Sequence, residues 1–384
     1  MFNQIFLPFK SYQKAPKTLQ NILNPAHIQL NGKSAWDIQV LDKRFYREIL
    51  TKGTLGVGEA YMKNYWDSKK LDETFTRLFR LDINETVTKL TKLKFFFEVM
   101  RHVLFNLQSQ ERAFEVAIKH YDLDNHLFQK MLDSTMNYSC GYWKKAKTLE
   151  EAQQHKLELI CRKLELKVGE HLLDIGCGWG GLAFYAAKHY GVKVTGITIS
   201  KAQQTYAKSV CKGLPINIHL LDYRVMEGKF DKIVSVGMFE HVGHKNYKIY
   251  FKKVASLLKD DGLFLLHSIG NYVTSYKTDA WIEKYIFPNG KLPSANQISL
   301  AIEKHFIIED WHNFGPDYDK TLMAWWDNFN QAWPLLKHKY DDVFYRMWKY
   351  YLHSCAGFFR SKQGQLWQIV MSKRNRLGPY HSVR

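Results

Sequence analysis

Two residues able to exchange protons, Glu240 and His267, each follow an apolar run that predicts a strand of a parallel sheet. The runs cover residues 233–236 and 263–266. Because the carboxyl ends of parallel strands meet at one edge of a sheet and ligands bind there, we expect both side chains to reach the same place. A carboxylate and an imidazole together suit general acid–base chemistry, and this interpretation is favoured over two satisfied core residues.

A glycine-rich loop, residues 174–181, lies between a predicted strand and a predicted helix and lets a ligand approach the main chain. A dinucleotide site would also need an acidic residue about 20 positions later. Residues 196–200, which end the second predicted strand, contain no carboxylate. Asp174, directly before the first glycine, would repel a pyrophosphate but can organise a cationic ligand. The loop therefore indicates S-adenosylmethionine, as in methyltransferases with this type of sheet.

Alternating strands and helices that would position these groups begin at about residue 165. Apolar runs predict five strands, at residues 170–175, 193–199, 216–221, 230–236 and 262–267. Helices are predicted between them at residues 182–189 and 201–212. This order predicts an α/β fold with a doubly wound, Rossmann-like methyltransferase sheet, made of parallel strands with helices on both faces.

The N-terminal part has shorter patterns, which predict a different organisation. Residues 1–85 are expected to form a small α+β, lipid- or membrane-binding domain, with an Asn-Gly turn at residues 31–32 and a Gly-rich turn within residues 55–62. Residues 86–118 have helical periodicity and predict a linker, which leaves residues 119–384 as the catalytic domain.

One stretch of the predicted linker, residues 89–105, is both basic and strongly apolar. It could form an interfacial helix that places Phe and Leu in a membrane and Lys against anionic head groups. It could also form a linker helix packed between domains, which is the more favoured interpretation because apolar helices are usually core elements. The sequence leaves both interpretations open.

The composition limits the class of partner. The chain has 384 residues, with 55 Lys+Arg against 37 Asp+Glu, and the resulting charge of +18 indicates nucleic acid or an anionic membrane surface. No run of about 18 apolar residues occurs, and we identify no secretory signal. Five scattered cysteines fit a reducing cytoplasm. Neither an H-E-x-x-H motif nor paired C-x-x-C motifs occur, so no metal site is predicted.

Six short segments together make the chain recognisable, and they occur in a fixed order. They are residues 138–140, 174–181, 237–243, 265–267, 284–290 and 309–315. With these segments the chain resembles the cyclopropane-fatty-acyl-phospholipid synthases, bacterial enzymes that depend on S-adenosylmethionine. The resemblance covers nearly the whole length and includes residues 55–62.

The resemblance implies transfer of a methylene group from S-adenosylmethionine to the cis double bond of an acyl chain in a membrane phospholipid. It implies a homodimer and a bound bicarbonate ion as general base. The groups implied to hold the bicarbonate are Cys140, Glu240, His267, the backbone of Ile269, and Tyr318. The cofactor contacts expected are Tyr138, Ser139, Asp174, Gly176, Gly178, Thr198, Gln203 and, in the adenine-side loop, Asp222.

Such a reaction passes through a carbocation and therefore requires water exclusion, cation stabilisation and a base. Aromatic faces attract a cation without reacting with it. The candidates are Tyr138, Tyr142, Trp143, Phe239, Tyr285, Phe287 and Trp311, each of which could instead be a core residue. We expect Cys140 to act as a ligand rather than a nucleophile, and Cys355 to be a packing residue.

Other functions share parts of this pattern. An RNA methyltransferase would use the same sheet and loop, but the N-P-P-[YF] motif is missing, and no nucleic-acid partner is predicted. A lipid methyltransferase could give a hydroxylated or methyl-branched product, and a non-enzymatic lipid-binding protein would not need the cofactor loop. We interpret the +18 charge as a docking face for peripheral, cytoplasmic association with the inner face of a membrane.

Overall fold

The structure is a computed structural model that describes residues 17–81 and 125–384. The predicted linker at residues 86–118, with its basic apolar stretch, lies outside the described residues. The helices are α1 (Lys17–Leu23), α2 (Arg44–Lys52), α3 (Thr54–Met62), α4 (Leu71–Phe79), α5 (Asn125–Met131), α6 (Leu149–Lys163), α7 (Gly181–Tyr190), α8 (Lys201–Val210), α9 (Tyr247–Leu257), α10 (Ala280–Tyr285), α11 (Ala295–Ile302), α12 (Pro316–Leu336) and α13 (Asp342–Arg360). None of the helices in these ranges is long and apolar enough to cross a membrane.

A seven-stranded sheet forms the centre of the molecule. Its strands are β3 (His171–Ile175), β4 (Lys193–Thr198), β5 (Ile216–Leu220), β6 (Phe230–Val236), β7 (Leu258–Asn271), β8 (Ile307–Asn313) and β9 (Gly364–Ser372). They follow the order β5-β4-β3-β6-β7-β9-β8, and β3 to β7 are mutually parallel. The five predicted strands and the helices α7 and α8 are therefore confirmed.

Two further strands make the sheet mixed instead of purely parallel, which corrects the prediction. β9 lies between β7 and β8 and is antiparallel to both. Its pairing with β7 continues to Asn271, four residues beyond His267. We expected His267 at the end of its strand, but it lies within β7, paired with Val236 of β6 on one side and Gln368 of β9 on the other.

Helices cover both faces of the sheet, as a doubly wound fold requires. On one face, Leu157 and Ile160 of α6 join Ala183 and Ala186 of α7 in a buried cluster. On the other face, α9 and α11 supply a second cluster, which includes Tyr250, Phe251, Val254, Ile298 and Ala301. Apolar side chains on both faces explain why the central strands have no polar alternation.

The N-terminal part is mostly helical, and its only sheet among residues 17–81 is the two-residue pair β1 (Gln39–Val40) and β2 (Trp66–Asp67). Asn31 has a positive φ of 55°, consistent with the predicted turn. The Gly-rich turn expected within residues 55–62 is wrong, because this segment is helix α3. A Cβ on Gly58 would lie 2.3 Å from Cδ1 of Trp281, so glycine here allows close helix packing.

Helices α1 to α4 share one aromatic-rich core with α12 and α13. Trp66, Trp281, Trp325 and Trp348 are fully buried in this core. Arg360 of α13 reinforces the junction by pairing with Asp72 at 2.6 Å and Asp319 at 2.8 Å. Many of the aromatic residues in the sequence therefore serve packing in this core. The predicted domain boundaries at residues 85 and 118 stay predictions.

Candidate active site

The glycine-rich loop connects β3 to α7 at the carboxyl edge of the sheet. Gly176 and Gly178 adopt φ values of 84° and 54°, which favour glycine. Apart from Gly178 itself and its two chain neighbours, no atom of the described residues lies within 4 Å of the position that a Cβ on Gly178 would take. The main chain is therefore open to a ligand at this point.

This loop forms part of a cleft whose lining contains every residue predicted to contact the cofactor. The eight residues are Tyr138, Ser139, Asp174, Gly176, Gly178, Thr198, Gln203 and Asp222. The hydroxyl of Thr198 donates to Oε1 of Gln203 at 2.7 Å, and Asp222 pairs with Arg224 at 2.9 Å. The structure brings these residues together, and their individual contacts stay predictions.

Asp174 is a buried carboxylate whose Oδ2 has no hydrogen-bond partner in the described chain. Burial raises the pKa of Asp174 to about 7, against the opposing effect of the nearby Lys156. An unpaired buried oxygen of this kind is costly unless a ligand supplies a donor. The cationic end of S-adenosylmethionine provides such a group, and the cleft therefore fits this cofactor.

Helix α6 holds one side of the segment that carries Tyr138, Ser139 and Cys140. The ammonium of Lys156 donates to Oγ of Ser139 and Oδ1 of Asn137, both at 2.9 Å. Gln153 donates to the carbonyl of Ser139 at 2.8 Å. Lys156 is almost fully buried, and this burial lowers its pKa to about 8 although nearby acidic groups oppose the shift.

Helix α12 holds the other side of the same segment. The amide of Trp143 donates to Asp317 at 2.7 Å, and the amide of Gly141 donates to Oγ1 of Thr321 at 3.1 Å. Tyr318 lies between Asp317 and Thr321 in the sequence of α12. The segment is therefore fixed by two helices, one of which also carries a predicted bicarbonate ligand.

Glu240 lies in a 3-10 turn, Phe239–His241, that follows β6. The amide of Ile269 donates to its Oε1 at 2.7 Å, whereas Oε2 is buried without a partner among the described residues. Burial raises the pKa of Glu240 to about 7, and the Ile269 amide partly offsets this rise. The sequence predicts that the Ile269 amide binds bicarbonate. In the structure this amide donates its hydrogen bond to Glu240 instead.

The other predicted bicarbonate ligands meet around Phe314. Cys140 belongs to the same hydrophobic cluster as Phe314, and Ile269 and Tyr318 pack against it. The ring of His267 lies 5.9 Å from the ring of Phe314. His267 Nε2 is buried and unpartnered within the described ranges. An unpartnered buried nitrogen beside Cys140 and Tyr318 fits a small ligand such as bicarbonate.

Neither candidate cysteine has the electrostatics of a nucleophile. Burial raises the pKa of the Cys140 thiol well above its ordinary value, and it raises the pKa of Cys355 to about 12. Both thiols are therefore protonated at neutral pH, whereas the thiolate is the reactive form. This supports a positioning role for Cys140 and a packing role for Cys355.

Aromatic rings connect the cofactor cleft to the region of Tyr318. The Tyr138 and Trp325 ring centroids lie 5.1 Å apart, and the Tyr138 hydroxyl lies 2.8 Å from the Tyr351 hydroxyl. Tyr318 stacks on Phe359 with a centroid distance of 4.5 Å. These aromatic contacts form an apolar surrounding beside Tyr138 and Tyr318, which suits an apolar substrate.

Not every aromatic candidate lies there. Phe239 and Trp311 belong to the core on the opposite face of the sheet, beside α9 and α11. Tyr285 instead donates its hydroxyl to Glu59 at 3.0 Å, at the junction with α3. For these three residues the packing interpretation describes what the structure shows.

Several site residues were missed from the sequence. Lys156 resembles any other lysine of a charged helix, and only tertiary burial distinguishes it. Trp325, Tyr351 and Phe359 lie on long helices whose aromatic spacing could have indicated a buried face. That signal could not have shown which ligand the face would meet.

Comparisons with known proteins agree with this geometry. The model of the mycolic acid cyclopropane synthetase family matches residues 108–369. The cyclopropane-fatty-acyl-phospholipid synthase of Escherichia coli (strain K12) is 51% identical over 352 residues, which cover 92% of each chain. The tuberculostearic acid methyltransferase UfaA1 of Mycobacterium tuberculosis is 33% identical over 85% of this chain and 80% of its own.

Solved structures extend the comparison to three dimensions. The cyclopropane synthase MmaA2 of Mycobacterium tuberculosis matches 68% of this chain and 98% of its own, with a TM-score of 0.64 and 31% identity. The mycolic acid cyclopropane synthase CmaA1, solved with SAH and CTAB, gives a TM-score of 0.63 at 32% identity, over 68% of this chain and 98% of its own. The chain is an S-adenosylmethionine-dependent methyltransferase and belongs to the mycolic acid cyclopropane synthetase family.

Proposed function

We propose that this enzyme transfers a methylene group from S-adenosylmethionine to the cis double bond of unsaturated acyl chains in membrane phospholipids, which forms a cyclopropane ring. The observation that carries the proposal is the pair of unpaired, buried polar atoms, Glu240 Oε2 and His267 Nε2. The His267 ring packs against Phe314, at 5.9 Å between ring centroids. The similarity to the Escherichia coli synthase supports the same substrate class.

The reaction needs a strong electrophile, because an isolated alkene is a poor nucleophile. S-adenosylmethionine, when bound, supplies a methyl group made electrophilic by its sulfonium. Asp174 would pair with the cationic end of this ligand, and Thr198 and Gln203 would bind it on the second strand-to-helix turn. The open main chain at Gly178 leaves the space that such an approach requires, and Gly176 lines the same cleft.

Charge that develops on the acyl chain must be stabilised without being captured. The rings of Tyr138, Trp325 and Tyr318 offer π faces that attract a cation and do not react with it. Trp325 is fully buried, so the surroundings exclude water. This exclusion favours ring closure over a hydroxylated product.

Ring closure requires removal of one proton, and Glu240 is suited to hold it. A pKa raised to about 7 lets Oε2 exist in either protonation state at neutral pH. We propose that Cys140, His267 and Tyr318 hold a bicarbonate ion beside Glu240. The backbone of Ile269, the further predicted ligand, donates to Glu240 in the structure and would have to exchange this bond for one to the ion. Bicarbonate, when bound, supplies a base. His267 is neutral, because burial and the nearby Lys156 and Lys163 hold its pKa well below the ordinary value.

The test uses purified enzyme, methyl-labelled S-adenosylmethionine and vesicles of an unsaturated anionic phospholipid. We expect label in the acyl chains, and mass spectrometry should find the gain of one CH2 unit, no added oxygen and resistance to hydrogenation. A hydroxylated product, or a saturated methyl-branched one, would contradict cyclopropane formation. It would show instead that the enzyme is a lipid methyltransferase that makes that product. Label in RNA but not in lipid would contradict the lipid substrate.

We further propose that the enzyme is a homodimer that binds the inner face of the membrane from the cytoplasm. The net charge of +18 supports an anionic surface as its docking partner. Analytical ultracentrifugation should give twice the chain mass of 45.3 kDa. A monomeric mass at working concentration would contradict the dimer.

A further inference from the structure

His267 has a partner on the neighbouring strand that the reaction described above does not use. His267 of β7 and Gln368 of β9 are paired across the antiparallel ladder, so their side chains project from the same face of the sheet. Nε2 of Gln368 lies 3.3 Å from Nδ1 of His267. His267 is 1% exposed and Gln368 is fully buried, so water does not compete for this contact.

The contact determines which nitrogen of His267 carries the proton. A neutral imidazole has one N–H and one acceptor nitrogen, and the hydrogen bond made by one nitrogen fixes the state of the other. An amide nitrogen can donate but cannot accept. In the structure the amide nitrogen of Gln368 faces Nδ1, while its Oε1 is buried without a partner among the described residues. With the amide in this orientation Nδ1 accepts from Gln368, which leaves the single proton of His267 on Nε2.

The other ring nitrogen of His267, Nε2, is then an N–H group that needs an acceptor. Nε2 is buried and has no partner in the described chain, which is costly for an N–H group unless a ligand accepts from it. The His267 ring packs against Phe314, around which Cys140 and Tyr318 also lie. An Nε2–H at this place can donate to a small anion, whereas an unprotonated Nε2 would repel it.

We propose that Gln368 is a positioning residue that holds His267 in the tautomer with the proton on Nε2, so that this N–H is available to the anion of the active site. The inference rests on the proposed bicarbonate site for its purpose. Gln368 does not line the cofactor cleft, so its effect on catalysis passes through His267.

Nitrogen NMR of the histidine-labelled enzyme tests the tautomer directly, with the His267→Asn variant used to identify the signals. In the wild-type enzyme we expect Nε2 to be protonated and Nδ1 to be unprotonated. In Gln368→Glu the carboxylate can accept from Nδ1, and we expect the proton to appear there. Gln368→Met, which has a similar length and no donor, should remove the preference for one tautomer.

Either of two results would overturn the inference: a proton on Nδ1 in the wild type, or an unchanged tautomer in Gln368→Glu. The wild-type spectrum alone can give the first result, so the test does not depend on a folded variant. For folded Gln368→Glu we expect methylene transfer to fall by about 10–100-fold, the range typical of partners that orient a catalytic ligand. The KM for S-adenosylmethionine should not change.

Added bicarbonate separates this inference from the proposed function. In the wild-type enzyme, bicarbonate should move the Nε2 resonance of His267, and Gln368→Glu should lose this response. If Nε2 is protonated but its resonance does not shift on addition of bicarbonate, the tautomer assignment would stand. The proposed bicarbonate site would then be contradicted.

Discussion

Glu240 is poised between its two protonation states because two effects oppose each other. Burial disfavours the carboxylate, and the Ile269 amide, which donates at 2.7 Å, favours it. The result is a pKa of about 7, far above that of an exposed glutamate. The carboxyl group can therefore both accept and release a proton near neutral pH.

This balance predicts the pH dependence of turnover. A base must be ionised, so kcat should rise as the pH increases through about 7. Glu240→Gln should reduce kcat by about 10²–10⁴-fold and abolish this inflection. Its affinity for S-adenosylmethionine, measured by calorimetry, should be nearly unchanged because Glu240 does not line the cofactor cleft. Full activity in Glu240→Gln would exclude it as a proton acceptor.

A second prediction, on stability, concerns Asp174, because its pKa of about 7 in the folded protein exceeds the ordinary value of 3.8 for an aspartate. The unfolded chain loses the proton first as the pH rises, so ionisation of Asp174 lowers the stability of the fold between about pH 4 and 7. Asp174→Asn should therefore raise the free energy of unfolding above pH 7 by about 1–4 kcal/mol, while weakening cofactor binding.

Denaturant titrations at several pH values would measure this difference, which should shrink as the pH falls toward 4. Asp260→Asn is the matched control, because the Asp260 side chain is 79% exposed. The control should show no comparable pH-dependent gain. Equal stability of Asp174→Asn and the wild type at pH 8 would mean that the buried charge costs nothing.

At the scale of elements, packing between α3 and α10 connects the N-terminal helices to the catalytic part. Gly58 allows Trp281 to lie against α3, and Glu59 pairs with Lys284 at 2.6 Å. Gly58→Ala should destabilise the protein by about 1–3 kcal/mol, because a methyl group has no space at this contact. Thermal or urea unfolding measures the loss.

Two further variants make the Gly58 prediction specific. Thr54→Ala, at the exposed start of α3, should change the stability by far less. Trp281→Leu should be less damaging in the Gly58→Ala background than in the wild type, since the smaller side chain gives the methyl group room. If the two changes in unfolding free energy were simply additive, the contact between Gly58 and Trp281 would not be what makes Gly58→Ala destabilising.

Local patterns predicted the parallel strands well and the strand pairings poorly. Five apolar runs located β3 to β7, since buried parallel strands need such runs. The place of His267 within β7 depends on β9, which is about a hundred residues away in sequence, and no local pattern reports that pairing. The burial of Lys156 likewise depends on packing between distant segments.

The glycines of α3 show a different limit of sequence reasoning. Glycine can be required because the backbone turns sharply, and a Gly-rich segment then predicts a turn. It can also be required because another element packs closely against the backbone, and the segment can then be helical. Gly58 belongs to the second case, because its neighbour Trp281 lies more than two hundred residues further along the chain. By contrast, the glycines of the cofactor loop were located correctly, because the flanking strand and helix gave them context.

At the scale of the whole molecule, the +18 charge predicts how the enzyme meets its substrate. Binding to vesicles that contain anionic lipid should weaken steeply as the salt concentration rises, because salt screens exposed charges. Co-sedimentation with anionic and neutral vesicles would measure this. If neither salt nor lipid charge changed the binding, the positive charge of the protein would not be what attaches it to the membrane.

Strand β7 is hydrogen-bonded on both sides where it carries His267, between β6 and β9. Amides in such a strand exchange with solvent only when the whole fold opens, whereas those of loops exchange through local fluctuations. The imidazole is therefore attached to a strand that we expect to be among the last parts of the fold to open. We therefore expect any motion that admits the substrate or releases the product to take place around this strand and not within it.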